Sequence, residues 1–349
     1  MRGRTDISKY QSAADTIKNF WVTIEGNLVR RSGTRYVSEA RDSSQPTRLV
    51  PFIYATDQAY VIEFSDRYIR FYRNESPILG DDGEVYEIST GYDAEDLFNL
   101  RFAQSADTLY IASPRHAVRK LVRVDHALWA MSTIIFTDGP YLPLNRRNSE
   151  GAISSLSPSL VGGGDVIITA NSVQTINDGR GFLDNDTHSD VGRLIRLGHT
   201  PGSGEGPVWG WAVINSVGNV EPNLSDESGV TYGSDHYHLN KYNPTESPIP
   251  SDEYWSISVS VQGSFEKGSE VFSFGLTSDW HLGAWYGRPA TAGANFPQVI
   301  TFAEQRLILC GEPDSPQTLH ASVSGVFENF AATGDYTYPA RPAVQDDNA

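Results

Sequence analysis

The sequence predicts an all-β protein, and three observations support that fold class. The 349 residues are 39% hydrophobic and 11% aromatic, with 31 glycines and 19 prolines, a composition typical of many short strands joined by tight turns. Apolar and polar residues alternate with a period of two in many short segments. A plan of four such segments also recurs along the chain.

The recurring plan is clearest in two consecutive units of the sequence. Residues 47–90 hold four strand-like segments, which read TRLVPFIYAT, AYVIEFSD, RYIRFYRN and GEVYEIST. Turn residues in ATDQ, SD and DDG separate them. Residues 98–136 repeat the plan as FNLRFAQSA, TLYIASP, RKLVRVD and ALWAMSTIIF.

These repeats predict β-propeller-type blades. Phe52 and Tyr60 of the first unit match Phe102 and Tyr110 of the second at an offset of 50, and Phe302 marks a third unit in PQVITFAEQRLILCGEPDSPQTLHASV. Four-strand units at this period are typical of propeller blades, which cover their faces by stacking on one another. A closed ring needs about four to eight blades. Either other blades have diverged, or the ring continues beyond this chain.

A segment of different character separates the second and third units. It alternates through DVIITANSV, VGRLIRLGH, VWGWAVINSV, YWSISVSV and EVFSFGL, and GRLIRL and WGWAVI are spaced as a hairpin. We interpret it as a small β-barrel or sandwich inserted in a propeller loop. The predicted organisation is an N-terminal arm and corner (1–45), propeller blades (46–145), the inserted all-β domain (146–282) and a return to the propeller (283–349), with the same two alternatives for the rest of the ring.

The N-terminus has the one helix-like pattern. TDISKYQSAADTIKNFWV places Ile7, Tyr10, Ala14, Ile17 and Phe20 near helical spacing, which predicts a short helix, with an extended arm as the alternative.

An arginine-rich corner follows in EGNLVRRSGTRY. Gly26 and Gly33 favour tight turns, and Arg30, Arg31 and Arg35 are candidates for a subunit interface or a structural corner. A phosphate site is the alternative. We favour the interface, because guanidinium groups bind carboxylates in two-pronged geometry and the rest of the chain is acidic.

Charge is unevenly distributed. The formal net charge is -16, and residues 151–349 have 8 Lys and Arg against 23 Asp and Glu, whereas residues 1–150 have 19 against 20. An acidic surface repels nucleic acid, yet suits a channel through which DNA slides without being retained. The single cysteine, Cys310, excludes a disulfide within the chain and is expected in the core. No apolar run reaches about 18 residues, so we expect no membrane span.

No set of residues in the sequence has the types and spacing expected of a catalytic site. Asp235, His236 and His238 could supply two metal ligands on one strand face, but the segment is loop-like and a surface loop is favoured. His116 and His126 are expected in turns. We therefore predict no enzyme, cofactor or metal site.

Three tryptophans leave a second function open. Trp209, Trp211 and Trp255 could stack on saccharide rings, although core packing is favoured for the period-two pair. A carbohydrate-binding or carbohydrate-active protein that recognises surface glycans is therefore the alternative function.

The opening RTDISKYQSAADTIKNFWVTIEGNLVRRSGTRYVSEA resembles tail nozzle, or tail tubular protein B-like, proteins of short-tailed bacteriophages. That family shares a G-R-x-D-x-x-x-Y arm, an N-F pair and a G-G-x-x-R-R-P-G-T-R-Y-V corner. Asn27 and Ser32 replace the second glycine and the proline of the corner. The matching positions are Gly3, Arg4, Asp6, Tyr10, Asn19, Phe20, Gly26, Arg30, Arg31, Gly33, Thr34, Arg35 and Tyr36.

The resemblance keeps one order over most of the chain, through RLVPFIYATDQAYVIEFSDRYIRFYRN, DGPYLPLN and DWHLGAWYGRPATAGANFPQVITFAEQRLILCG. It implies a structural virion protein, made in the host cytoplasm, that forms a homo-hexameric ring of the viral tail. Its implied partners are the portal and adaptor above it, the tail fibres, and genomic DNA that passes through the lumen without sequence-specific contacts during ejection. Relatives have a long continuation after a segment like Asp346–Ala349.

Overall fold

β-strands dominate the described chain. The computed structural model describes residues 14, 16–56, 58–146, 151–158, 164, 166–170, 172, 174–186, 188–199, 208–218, 256–263, 265, 277–291 and 293–331. They form twenty strands, paired antiparallel, and one short 3₁₀ turn, Asn177–Gly179. The all-β prediction is confirmed. In this part of the chain no helix is long and apolar enough to cross a lipid bilayer.

The first and second sheets follow the two repeated units of the sequence, and every strand predicted for them is present. The first sheet has the order β3-β4-β5-β6, with β7 also paired to β5: β3 (Arg48–Ala55), β4 (Gln58–Ser65), β5 (Tyr68–Arg73), β6 (Ser76–Pro77) and β7 (Glu87–Ser89). The second sheet is a meander: β8 (Arg101–Ser105), β9 (Thr108–Ser113), β10 (His116–Asp125) and β11 (Leu128–Thr133).

A shared apolar core joins these two sheets. Alternate residues of the first sheet point towards the second, and both sets are buried because each sheet covers one face of the other. Trp129 lies at the centre, 4.5 Å from Phe71 and 4.9 Å from Phe52 between ring centroids. The other main contributors are Tyr60, Ile62, Phe64, Ile69, Leu109, Ile111 and Leu121.

The phenylalanine match between the repeats does not hold in three dimensions. Phe52 pairs with Tyr60, whereas Phe102 pairs with Ile111 and Tyr110 pairs with Ala103. The register of β3 and β4 shifts by one residue at a β-bulge near their turn. A shift of one residue moves a side chain to the opposite face of its sheet. Phe52 therefore faces the second sheet while Phe102 faces the first, and both contribute to the core between these sheets.

A three-stranded sheet carries the third unit. It contains β18 (Val299–Ala303), β19 (Arg306–Glu312) and β20 (Ser315–Ala321). Ile300, Leu307 and Leu309 pack on the face of the second sheet that points away from the first. The Phe302 ring lies 5.6 Å from that of Tyr110 across this second core.

The first strands of the three sheets are neighbours. The side chain of Gln104 on β8 accepts from the backbone amide of Ile53 at 3.1 Å and donates to its carbonyl at 2.7 Å, which ties β8 to β3. β18 in turn lies beside β8. The three sheets therefore stack in chain order, with their first strands on one side.

A six-stranded sheet lies, in sequence, between the second sheet and the three-stranded sheet. Its order is β12-β13-β16-β15-β14-β17, and its strands fall within the predicted segment 146–282: β12 (Leu156–Pro158), β13 (Val166–Ala170), β14 (Leu194–His199), β15 (Val208–Gly218), β16 (Ser256–Gly263) and β17 (Trp280–Leu282). The predicted hairpin of GRLIRL and WGWAVI is the β14–β15 pair. The EVFSFGL segment lies outside the described residues.

This sheet is curled. Thr277, just ahead of edge strand β17, exchanges two backbone hydrogen bonds of 2.8 Å with Leu156 on the opposite edge strand. The two edges thus approach each other, and the concave face encloses its own core of Ile168, Ile195, Val259 and Trp280.

The predicted N-terminal helix is wrong where the structure describes it. Residues 16–18 are not helical, and Phe20–Val22 form strand β1, which pairs with β2 (Leu28–Arg30). Asn19 adopts a φ of 63°, in the left-handed region that interrupts a right-handed helix. Residues 1–13 lie outside the described chain.

Candidate functional site

The arginine-rich corner forms a β-hairpin. Gly26 has a φ of 88° in the turn between β1 and β2, a conformation that glycine adopts without strain. The turn is closed by Thr23, which bonds the Gly26 amide through its carbonyl at 2.9 Å and the Asn27 amide through its hydroxyl at 3.2 Å. Arg31 then donates from its amide to Asn19 at 2.9 Å.

This hairpin and the segment after it are exposed. From residue 16 to residue 46, no described residue is buried. The exposed fraction reaches 67% for Trp21 and 103% for Ile24. The other large apolar side chains exposed here are Ile17, Phe20, Val22, Leu28, Val29, Tyr36 and Val37.

A hairpin that exposes this much apolar surface is expected to bind another surface. A two-stranded hairpin alone is marginally stable in water, and soluble monomers rarely expose contiguous apolar patches of this kind. We call residues 16–46 the arm. Its composition is that of a docking element, because aromatic and arginine side chains supply most of the binding energy in protein interfaces.

Two arginines attach the arm to the first sheet. Arg41 bonds Glu87 at 2.7 Å and lies 3.2 Å above the centre of the Tyr68 ring. Arg35 pairs with Glu75, but both side chains are well exposed, at 75% and 66%. Exposed ion pairs contribute about 0–1 kcal/mol, so Arg41 is the stronger anchor.

The predicted interface residues lie in or beside this hairpin, but they do not converge. Arg30 ends β2 and Arg31 follows it, both exposed, and no described carboxylate lies within ion-pair distance of either. Arg35 contacts the Glu75 carboxylate through a single nitrogen, Nη1, and not in the two-pronged geometry that the sequence interpretation expected. Gly33 does not occupy a turn that requires glycine: its φ is not positive and a Cβ there would meet open space.

Apolar side chains are also exposed on the two end sheets of the stack. On the outer face of the first sheet, Leu49 and Ile53 are each 63% exposed and Val61 is 40% exposed. On the outer face of the three-stranded sheet, Val299 is 45% and Leu319 is 60% exposed.

Cys310, expected in the core, is half-buried on this second outer face. Its strand partners are Val299 and Leu319, which point away from the second sheet. Burial and the nearby Glu312 carboxylate raise the pKa of its thiol, so the thiol is not primed as a nucleophile.

The structure contains a buried carboxylate cluster that sequence reasoning missed. Asp190 accepts from Arg193 Nη1 at 2.7 Å, from Asn177 at 2.8 Å and from the Leu183 amide at 2.8 Å, and His188 lies 3.2 Å away. The side chains of Asp190 and Arg193 are fully buried. Burial alone would raise the pKa of Asp190, but Arg193, His188 and the Leu183 amide outweigh it and hold the pKa below its usual range.

A second buried cluster corrects the interpretation of His116. This residue begins β10 and is 2% exposed, rather than lying in a turn. Its Nε2 lies 2.7 Å from Asp96, which also accepts from Arg115 at 3.0 Å. Burial lowers the pKa of His116 despite the Asp96 carboxylate. The Tyr92 ring meets the imidazole edge-on, and both side chains are buried.

His126 does lie in a turn, between β10 and β11. Its imidazole contacts Tyr60 and Arg73 on the first sheet.

The candidate glycan-stacking tryptophans are placed differently from one another. Trp209 is 8% exposed, with the Arg196 guanidinium 4.7 Å from its ring centroid and the His281 ring at 5.2 Å. Covered on this face, it offers no open platform for a sugar. Trp211 is half-buried on the same strand, and Trp255 lies outside the described residues.

No metal site emerges from the described part of the chain, where no three His, Cys, Asp or Glu side chains cluster as ligands. Asp235, His236 and His238 lie outside it. The chain matches no protein-family model and has no significant match among curated proteins.

Proposed function

We propose that the chain is a ring-forming structural subunit of a bacteriophage tail nozzle, carried in the virion as part of the channel for DNA ejection. The observation that supports this proposal is the exposed apolar arm at residues 16–46. Nothing in the described part of the same chain covers it, and we infer that another subunit does. The family resemblance of the arm sequence points to six copies in a ring.

The stacking of three sheets supports a propeller segment. Each sheet buries one face on the next, and the first strands of successive sheets lie side by side, as the inner strands of propeller blades do. The end sheets keep apolar outer faces that a further blade or a neighbouring subunit would cover. Two different faces on one chain permit head-to-tail contacts, which close into rings when the rotation between subunits is suitable.

The acidity of the chain is consistent with a DNA channel. With a net charge of -16, carboxylates on the lumen would repel phosphates and let DNA pass without the cationic contacts that retain it. The proposed partners are the portal and adaptor above the ring, the tail fibres beside it and the transiting DNA.

Substitutions in the arm test the proposal. A variant with Trp21→Ser, Ile24→Ser and Leu28→Ser should leave folding intact, because all three side chains are exposed. Burying a large apolar side chain contributes about 1.5–3 kcal/mol, so the triple change should weaken association at least a hundredfold. Mass photometry and negative-stain microscopy of the purified chain measure the oligomer.

A matched control changes exposed apolar residues away from the arm. Leu79 and Phe98 are 53% and 59% exposed, and the Leu79→Ser, Phe98→Ser variant should assemble like the wild type. Rings that persist in the arm variant would refute the role of the arm. A wild-type chain that stays monomeric at high concentration and is absent from phage particles would refute the function.

A further inference from the structure

Two arginines from different sheets meet at the edge of the first core. Arg73 ends β5 of the first sheet, and Arg123 lies on β10 of the second. Both guanidinium carbons lie near the ring centre of Tyr60, at 5.9 Å and 5.6 Å. Since one aromatic ring is common to both, the two positive charges share one small region of the surface between the sheets.

The two guanidinium groups use only some of their N–H donors in hydrogen bonds within the described chain. Arg123 donates through Nε to the Tyr60 hydroxyl at 3.2 Å and through Nη2 to Gln58 at 3.1 Å. Arg73 Nη1 lies 2.9 Å from Nε2 of His126. The same Nη1 lies 3.3 Å from Nδ1 of His126, and that ring nitrogen also contacts the Tyr60 hydroxyl.

No described carboxylate lies within 4 Å of either guanidinium. Other partly buried arginines are matched by oxygen acceptors: Arg70 pairs with Glu87, and Arg48 donates to two backbone carbonyls. Arg73 Nε, by contrast, is buried without a partner. An unmatched buried donor of a charged group is costly, so Arg73 Nε, beside a second guanidinium whose hydrogen-bond partners are neutral, marks a site for an anion.

We propose that Arg73, Arg123 and His126 form a binding site for a phosphate group. Two guanidiniums match a doubly charged tetrahedral oxyanion better than a singly charged carboxylate, and their forked donors suit phosphate oxygens. The three side chains are half-buried, so they are preorganised yet reachable from solvent. Tyr54, 44% exposed and 4.2 Å from the Arg123 guanidinium carbon, forms one wall.

The phosphate group can come from two sources, and the experiment separates them. One is a small phosphate ion or monoester; the other is the phosphodiester backbone of DNA. Thermal melting and isothermal calorimetry of the full chain are run with inorganic phosphate, and separately with a short duplex oligonucleotide. Sodium chloride at matched ionic strength is the reference.

For the wild type, we expect a saturable rise in melting temperature with phosphate, because a ligand that binds only the folded state stabilises it. Arg73→Gln with Arg123→Gln should weaken phosphate binding at least tenfold. Arg67→Gln, which removes an exposed arginine paired with Asp93, should not. If the glutamine variant fails to fold, Arg73→Lys with Arg123→Lys keeps the charges and should weaken binding by losing the forked geometry.

The results distinguish the sources and can overturn the site. Phosphate binding without oligonucleotide binding indicates a small phosphate, and oligonucleotide binding that the same variants abolish indicates DNA. A wild-type chain that phosphate and the oligonucleotide stabilise no more than chloride does would overturn the proposal. So would equal phosphate binding by the wild type and the double glutamine variant.

Discussion

Replacing Asp190 by asparagine tests whether the buried carboxylate cluster stabilises the fold. The change keeps the shape of the side chain and removes its charge. Arg193 would then be buried with two neutral acceptors, Gly283 and Asn177, at 2.7 Å and 3.0 Å, and without its counter-ion. The new amide group would also direct a donor at the donors of Arg193 or Leu183.

The expected cost is large because both charges are inaccessible to water. Removing one partner of a buried ion pair costs about 3–5 kcal/mol. Arg193 also lies 4.3 Å from the Tyr286 ring centroid, a contact that the substitution leaves in place. We therefore expect a loss near the lower end, about 3 kcal/mol.

Urea denaturation followed by tryptophan fluorescence at pH 7 measures this loss. The matched control is Asp184→Asn in the same segment, since Asp184 pairs with Arg288 at 3.0 Å where both side chains are partly exposed. That control should lose less than about 1 kcal/mol. If Asp190→Asn costs no more than Asp184→Asn, the cluster does not stabilise the fold and the reasoning fails.

The pH dependence of the same difference follows from the lowered pKa of Asp190. A carboxyl group with a lowered pKa in the folded state stabilises the fold above its unfolded pKa of about 4, and this contribution is lost as the pH falls through the folded value. The gap between the wild type and Asp190→Asn should therefore be full at neutral pH and narrow in acid. A gap that widens in acid would contradict the ionised state of Asp190.

Two further pairs of substitutions have expected outcomes. Gly287→Ala should lower the free energy of unfolding in urea titrations by about 2–4 kcal/mol, because φ is 109° and the new Cβ would lie 2.6 Å from Ala294 Cα. Gly83→Ala is the control: its φ is 80° but its Cβ would meet open space, so the loss should be only about 1–2 kcal/mol. Trp209→Ala should cost about 3–5 kcal/mol and Trp211→Ala less, because Trp209 is the more buried ring; equal losses in the same titrations would show that burial does not separate them.

Strand positions were largely predictable from the sequence because alternation is a local signal. The segment RLILCG places its buried residues Leu307 and Leu309 two positions apart, whereas TLYIASP is buried continuously from Leu109 to Ser113, and both segments form strands. The facing of side chains was less predictable. A single β-bulge in β3 places Phe52 and Phe102 on opposite faces of their respective sheets. The local sequence pattern does not predict this bulge, because the segment contains no glycine.

The candidate sites were less predictable, because they depend on long-range placement. The sequence drew attention to the arginines of the arm, whereas the exposure of its apolar residues, such as Trp21 and Ile24, emerges only from the fold, in which no described residue covers them. Arg73 and Arg123 are 50 positions apart, and neither sits in a motif. The sequence around His116 does not predict that this residue is buried, because its partner Asp96 lies 20 positions away, in the turn segment after the first sheet.

Two buried carboxylates, Asp96 and Glu312, lie where one sheet meets the chain that leads to or from another sheet, and this placement has a physical reason. Repeated sheets with similar apolar faces can stack in the wrong order or register, since apolar contact is not directional. A buried carboxylate is satisfied only by specific donors, and Glu312 accepts from Trp285 at 2.8 Å where the three-stranded sheet meets the chain returning from β17. Asp96 binds a different set of donors, Arg115 and His116, where the chain connects the first sheet to the second. Any other stacking would leave such a carboxylate buried and unpaired at a cost of several kcal/mol, so we infer that these clusters select one arrangement among sheets that apolar packing alone would not distinguish.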